Sequence, residues 1–224
     1  MNIRPILMLV FAAVALLQVA AKPSHQLKGV KELPKGLSEA VAAKIDPNGY
    51  QVSGPSAAIG TIWLAKDVSV KPGFEPNFMV KYPFSSGQLV GVLEVAKDAS
   101  MKDFRGQEMK AGVYTLRYGQ QPQDGNHLGT SDTSDFLMAL PAAKDTKADA
   151  ITDGDEFVKL SSAAAGTTHP AIFSLQPPEK AGEAKLTHDE EREFWILEAA
   201  AAGKEKDKDV KVPLKLVVVG VGEI

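Results

Sequence analysis

The chain has 224 residues, with 25 basic and 28 acidic side chains, a formal charge of −3 and no cysteine. That balance leaves no basic stripe of the kind that marks a nucleic-acid partner. The absence of cysteine excludes disulfides, thiolate metal sites, a thiol nucleophile and a lipid-modified N-terminal cysteine. With 44% hydrophobic residues the chain has enough apolar side chain for one substantial core, so a folded single domain is expected rather than a disordered chain.

Residues 1–21 read as a signal peptide. A short positive start ending at Arg4 precedes PILMLVFAAVALLQVAA, which is apolar apart from Gln18 and ends with Val19 and Ala21, the small residues read at cleavage. The run is short for the roughly 20 residues of a spanning helix. Export to the periplasm or beyond is therefore expected, with no membrane span after cleavage. Residues 22–34 read as a flexible leader, and a single domain is expected over 35–224.

Leu37, Ala40, Val41 and Ile45 recur at helical spacing, which predicts a short helix over 37–44, stopped by Pro47, Asn48 and Gly49. From Tyr50 onward, short β-branched and aromatic runs alternate with Gly, Pro, Asn and Asp clusters. Strands are predicted over 50–53, 59–65, 77–82, 88–96, 112–119, 136–140, 171–176, 193–200 and 211–220. In AGVYTLRYG, Tyr114, Leu116 and Tyr118 fall on one face and Thr115 and Arg117 on the other. In KVPLKLVVVG, the inward row is Val212, Leu214, Leu216 and Val218. Pro213 there places the strand at an edge or a bulge.

A second helix is predicted in the segment 153–166, with acids in its first turn and Gly166 as terminator. The run EFWILEAAAAGK is ambiguous: Thr187 and Glu190 fit a capping box and the alanines favour helix, yet the compact aromatic start and the charged GKEKDKD loop favour a strand entering a hairpin. The strand is preferred. The sum is a mainly β protein, an antiparallel β-sandwich of jelly-roll or immunoglobulin-like type with two short helices.

Chemistry concentrates in QPQDGNHLGTSDTSD, residues 121–135. Counted from Asp124 as the first position of a twelve-residue calcium loop, Asn126, Gly129, Asp132 and Asp135 fall at ligand positions three, six, nine and twelve. The match fails at Leu128, which offers no side-chain oxygen, and at Asp135, where a longer Glu normally reaches as a bidentate ligand. A divalent metal held by His127 with Asp124, Asp132 or His169 is the other metal reading, although His25, His127, His169 and His188 are scattered without ligand spacing.

No GxSxG elbow selects a nucleophile, since GPSAA at 54–58 lacks the last glycine. The pairs Asp153/Asp155 and Asp132/Asp135 are explained by a helix start and a turn. The stretch therefore reads first as a turn-rich loop and second as a ligand surface built from Arg105, Arg117, Asp124, Asn126, His127 and Asp135. The competing role for Arg105 and Arg117, and the preferred one, is ion pairing to Asp103, Asp124 or Asp135.

The segments LPKGLSEAVAAKIDPNGYQVSG, GTIWLAKDV, LVGVLEV, DFRGQEMKAGVYTLRYGQQPQDGNHLGTSDTSDFLMALPAAKD, GTTHPAIFSLQP and VPLKLVVVG together resemble an uncharacterised group of secreted bacterial proteins of the planctomycete type. The resemblance implies a secreted β-rich domain and carries no activity. The expected function is a non-enzymatic binding or interaction module, its partner a small molecule, a polysaccharide or an envelope protein. Two alternatives stand beside it: a hydrolase acting on an extracellular polymer or ester through Asp124, His127, Asp132 and His169, and a calcium-stabilised envelope protein.

Overall fold

The computed structural model describes residues 25–122 and 133–222. In chain order these form β1 (Gln26–Val30), α1 (Glu39–Ala42), β2 (Ile45–Ser53), β3 (Ala58–Ala65), β4 (Val68–Ser69), β5 (Leu89–Val95), β6 (Met101–Lys102), β7 (Glu108–Met109), β8 (Gly112–Gln120), β9 (Asp135–Pro141), α2 (Gly154–Ala165), β10 (Ile172–Ser174), β11 (Lys185–Asp189), β12 (Phe194–Glu205) and β13 (Lys208–Val219). Among the described residues no helix is long and apolar enough to cross a membrane.

One sheet runs β1-β2-β3-β5-β8-β9-β10, an antiparallel meander. A second runs β11-β12-β13, with β4 alongside β12, and β6-β7 form a small ribbon. The two sheets are joined at one corner. Leu175 bridges to Leu216, and the Gln176 N–H donates to the Lys215 carbonyl at 2.8 Å. The mainly β antiparallel sandwich with two helices is the architecture found.

Period-two burial explains the strands. Tyr114, Leu116 and Tyr118 of β8 and Val212, Leu214, Leu216 and Val218 of β13 all enter one buried cluster. On β12 the same cluster takes Leu197, Ala199 and Ala201. Ala199 sits opposite Leu214 and Ala201 opposite Val212, so small side chains on one strand face large ones on the other. The alanine run is a strand because burying one face outweighs its helix propensity. Pro213 lies on β13, which ends its sheet, as the missing N–H requires.

Helix α2 is built as its ends predict. The Asp153 side chain caps it by accepting from Asp155 N and Glu156 N, and Gly166 closes it at φ 69°. Its Phe157 packs on Met138 and Leu140 of β9; burying such a ring is worth about 1.5–3 kcal/mol. Helix α1 covers only part of the expected 37–44, capped by the Ser38 hydroxyl accepting from Val41 N at 3.2 Å.

Three expectations are corrected. Part of the expected leader is strand β1, paired with β2 from Gln26↔Ser53 to Val30↔Gly49. Its polar alternation marks a half-exposed edge strand, not a free segment. The strand expected over 77–82 is not formed. Asn77 accepts from Met79 N at 2.9 Å and Val80 N at 2.8 Å, and its own N–H donates to Val80 O, so the backbone turns there. Finally, the central strands are covered on both faces. The face of β8 carrying Thr115 and Arg117, read as the opposite of the core face, is itself buried.

Candidate functional site

Arg117 does not reach a ligand surface. It is fully buried, and all five guanidinium N–H groups are used within the protein. Nε donates to Asp145 Oδ2 at 2.6 Å and Nη2 to Asp145 Oδ1 at 2.8 Å. Nη1 donates to the carbonyls of Gly87 at 2.7 Å and Asp149 at 2.8 Å, and Nη2 also to Lys147 O. The expectation of an ion pair holds, but the partner is Asp145, on the turn after β9, and not Asp103, Asp124 or Asp135. This ion pair pins the 145–149 segment over the sheet.

Asp135 is likewise sealed from solvent. Its Oδ2 accepts from Lys81 N at 2.7 Å and its Oδ1 from the Tyr118 hydroxyl. Burial raises its carboxyl pKa, opposed by the bonds from Tyr118 and the Lys81 and Tyr82 amides. The Tyr118 phenol is pushed up, first by burial and then by Asp135. Nearby, the Tyr82 hydroxyl accepts from Lys215 N at 3.0 Å and donates to Gln176 O at 2.8 Å, across the corner where the sheets join. Asp135 thus organises the 79–82 turn; with both oxygens committed, it is withdrawn as a metal or ligand contact.

Asp124, Asn126, His127 and Asp132 lie outside the described residues. Among the described residues no group of three or more His, Cys, Asp or Glu could hold a metal ion. Of the four groups expected for a hydrolase, only His169 is described.

Arg105 and His169 do come together, at the lip of a cleft of about 300 Å³ on the outer face of the larger sheet. Its floor is Gly119, Phe136, Met138 and Ile172. These share one face because Gly119 pairs with Phe136, and Met138 with Ile172. Phe104, Pro170 and Val158 of α2 form walls, and Arg105, Gln120, Thr168 and His169 bring polar atoms to the edge. Val158 is 45% exposed, one of few large apolar side chains so placed.

The lip is held by one buried carboxylate. Asp103 accepts from Arg105 N at 3.0 Å, Gln107 N at 2.7 Å, Gln107 Nε2 at 2.8 Å and Ile172 N at 3.1 Å. Burial raises its pKa, and these four bonds oppose the rise. Gln107 Nε2 also donates to Pro170 O at 3.0 Å, and the Thr167 hydroxyl donates to Gln107 Oε1. Thr167 Oγ1 in turn accepts from His169 N at 3.0 Å. Phe104 is fixed by its N–H donating to Ile172 O at 2.7 Å and its carbonyl accepting from Gly222 N at 2.8 Å. The backbone under Arg105 and His169 is therefore rigidly placed. No hydrogen bond or ion pair holds the Arg105 guanidinium among the described residues. Of the ion-pair partners expected for Arg105, Asp103 and Asp135 are engaged by other donors and Asp124 lies outside the described residues.

A wider groove of about 560 Å³ lies between Pro177–Glu179 and the smaller sheet. Its charges neutralise one another: Arg192 pairs with Asp189 at 2.7 Å, Lys215 with Glu179 at 2.9 Å and Lys185 with Glu198 at 3.2 Å. Hydrogen bonds from Arg192 and Lys215 hold Asp189 and Glu179 below the usual carboxylate range. The smaller cleft is the better ligand site, because it combines apolar walls with a charge that has no partner among the described residues.

The apolar cleft lining was not found from sequence, because Phe136, Met138 and Ile172 read there only as strand residues. The one visible signal was Val158, an apolar side chain off the buried stripe of α2. No protein-family model, curated protein or solved structure matches the chain.

Proposed function

We propose that the protein is an exported, non-enzymatic binding module that takes a small molecule with an apolar body in the cleft between α2 and the 103–107 loop. The observation that carries this reading is the cleft itself: about 300 Å³, floored by Phe136, Met138 and Ile172, with polar groups only at its lip. Ligand sites share that make-up of apolar walls and a few convergent polar groups, at volumes of about 300–1,000 Å³. The proposal of export is supported by the signal-peptide pattern of residues 1–21.

The test is fluorescence titration with N-phenyl-1-naphthylamine, a neutral apolar probe. Saturable binding to the wild type, lost in Val158→Trp with the fold retained, is expected. Equal binding by both proteins, or none by the wild type, overturns the cleft. Ester or glycoside turnover abolished by His169→Ala would overturn the non-enzymatic reading. Fusion of residues 1–21 to a periplasmic reporter tests export separately.

A further inference from the structure

Resting on the cleft as a ligand site, we infer that its ligand is an amphipathic anion, with an apolar body on Phe136 and Met138 and a carboxylate or sulfonate head at Arg105. Three observations combine. The lining holds two basic residues, Arg105 and His169, and no acidic one among the described residues. The carboxylate that holds the lip, Asp103, is engaged by four N–H donors, none of them from the Arg105 side chain. The Arg105 backbone is anchored while its guanidinium has no acceptor among the described residues.

A guanidinium stays charged at every physiological pH and offers a planar fork that fits a carboxylate or sulfonate in bidentate fashion. Beside an apolar wall that pairing is stronger than in open water, because the local dielectric is lower. A neutral ligand would fill the same floor and leave the guanidinium unused. A cation would meet like charge at the lip. The apolar floor thus sets the body of the ligand and Arg105 sets the sign of its head.

Two probes with one body separate the claims: N-phenyl-1-naphthylamine and its sulfonated counterpart, 1-anilinonaphthalene-8-sulfonate. Each is titrated against the wild type, Arg105→Gln, Arg105→Lys and Val158→Trp. Arg105 is half-buried and its side chain bonds to no described residue, so both substitutions there are expected to fold. Arg105→Gln should weaken the sulfonate about tenfold, the loss expected for one charge-assisted contact, and leave the neutral probe within about twofold. Arg105→Lys should fall between Gln and wild type for the sulfonate only. If both probes bind and Arg105→Gln changes neither, or both equally, the inference fails while the cleft stands. If the neutral probe does not bind the wild type, or the sulfonate binds Val158→Trp unchanged, cleft and inference fall together.

Discussion

The guanidinium of Arg117 grips the carboxylate of Asp145 through two parallel bonds of 2.6 and 2.8 Å, with side-chain exposures of 0% and 4%. Removing one partner strands a buried charge. Arg117→Met should therefore cost about 3–5 kcal/mol, whereas Arg117→Met combined with Asp145→Leu should cost clearly less than the single change. Urea unfolding of the three proteins measures this. A double variant as unstable as Arg117→Met would show that shape, not charge, dominates at this site.

Asp135 gives a pH dependence of definite sign. Burial raises its folded pKa above the ordinary 3.8. The folded state then binds its proton more tightly than the unfolded chain does. Its contribution is full below 3.8 and is lost as pH rises through the raised folded value. Asp135→Asn has no such titration, though it sacrifices an acceptor for Lys81 N or Tyr118. The stability advantage of wild type over Asp135→Asn should shrink as pH rises from acid to neutral. An advantage that grows over that range would contradict the raised pKa.

His25 acts in the opposite direction. Its ring lies 4.5 Å from Trp195, whose indole also stacks on His188 at 4.3 Å. Burial and, secondarily, the charge of His188 hold the His25 pKa below 6.5. The associated stability is present above 6.5 and is lost as pH falls through the depressed folded value. Thermal melting of wild type and His25→Gln at pH 7.5 and pH 5 tests it. Wild type should lose more on acidification than His25→Gln does, and equal losses would remove His25 from the account.

Gly87 lies at φ 74°, and a Cβ there would sit 1.9 Å from the Ile151 carbonyl oxygen. Its carbonyl also receives Arg117 Nη1 at 2.7 Å. Gly87→Ala should cost about 3 kcal/mol or more, through both strain and backbone clash. Gly154→Ala, in the first turn of α2 with nothing within 4 Å of its added methyl, should instead stabilise by about 0.5 kcal/mol. Denaturant midpoints of the two variants should move in opposite directions.

What the sequence revealed follows from which signals are local. The rows Tyr114–Leu116–Tyr118 and Val212–Leu214–Leu216–Val218 were legible because alternation is written in neighbouring residues. The ends of α2 were legible because Asp153 and Gly166 act within one turn. Strand β1 was missed because QLKGV is half-exposed and gains its order from partners in β2 that run from Gly49 to Ser53. The partner of Arg117 and the role of Asp135 were misread because Asp145 and Lys81 are brought to them only by the folded sheet. At the site, Arg105 and His169 were named, but the cleft that gives them a shared purpose is made by register between strands, which no single segment carries.

The Leu175–Leu216 bridge has a consequence for colloidal behaviour. It commits the peptide groups of Leu175, Gln176, Lys215 and Leu216 to one another, so that stretch of sheet border is not offered as a template to a neighbouring molecule. A chain with no disulfides thus stitches its own borders together, here through paired peptide groups and at the other end, between β1 and β11, through His25 and His188 against Trp195.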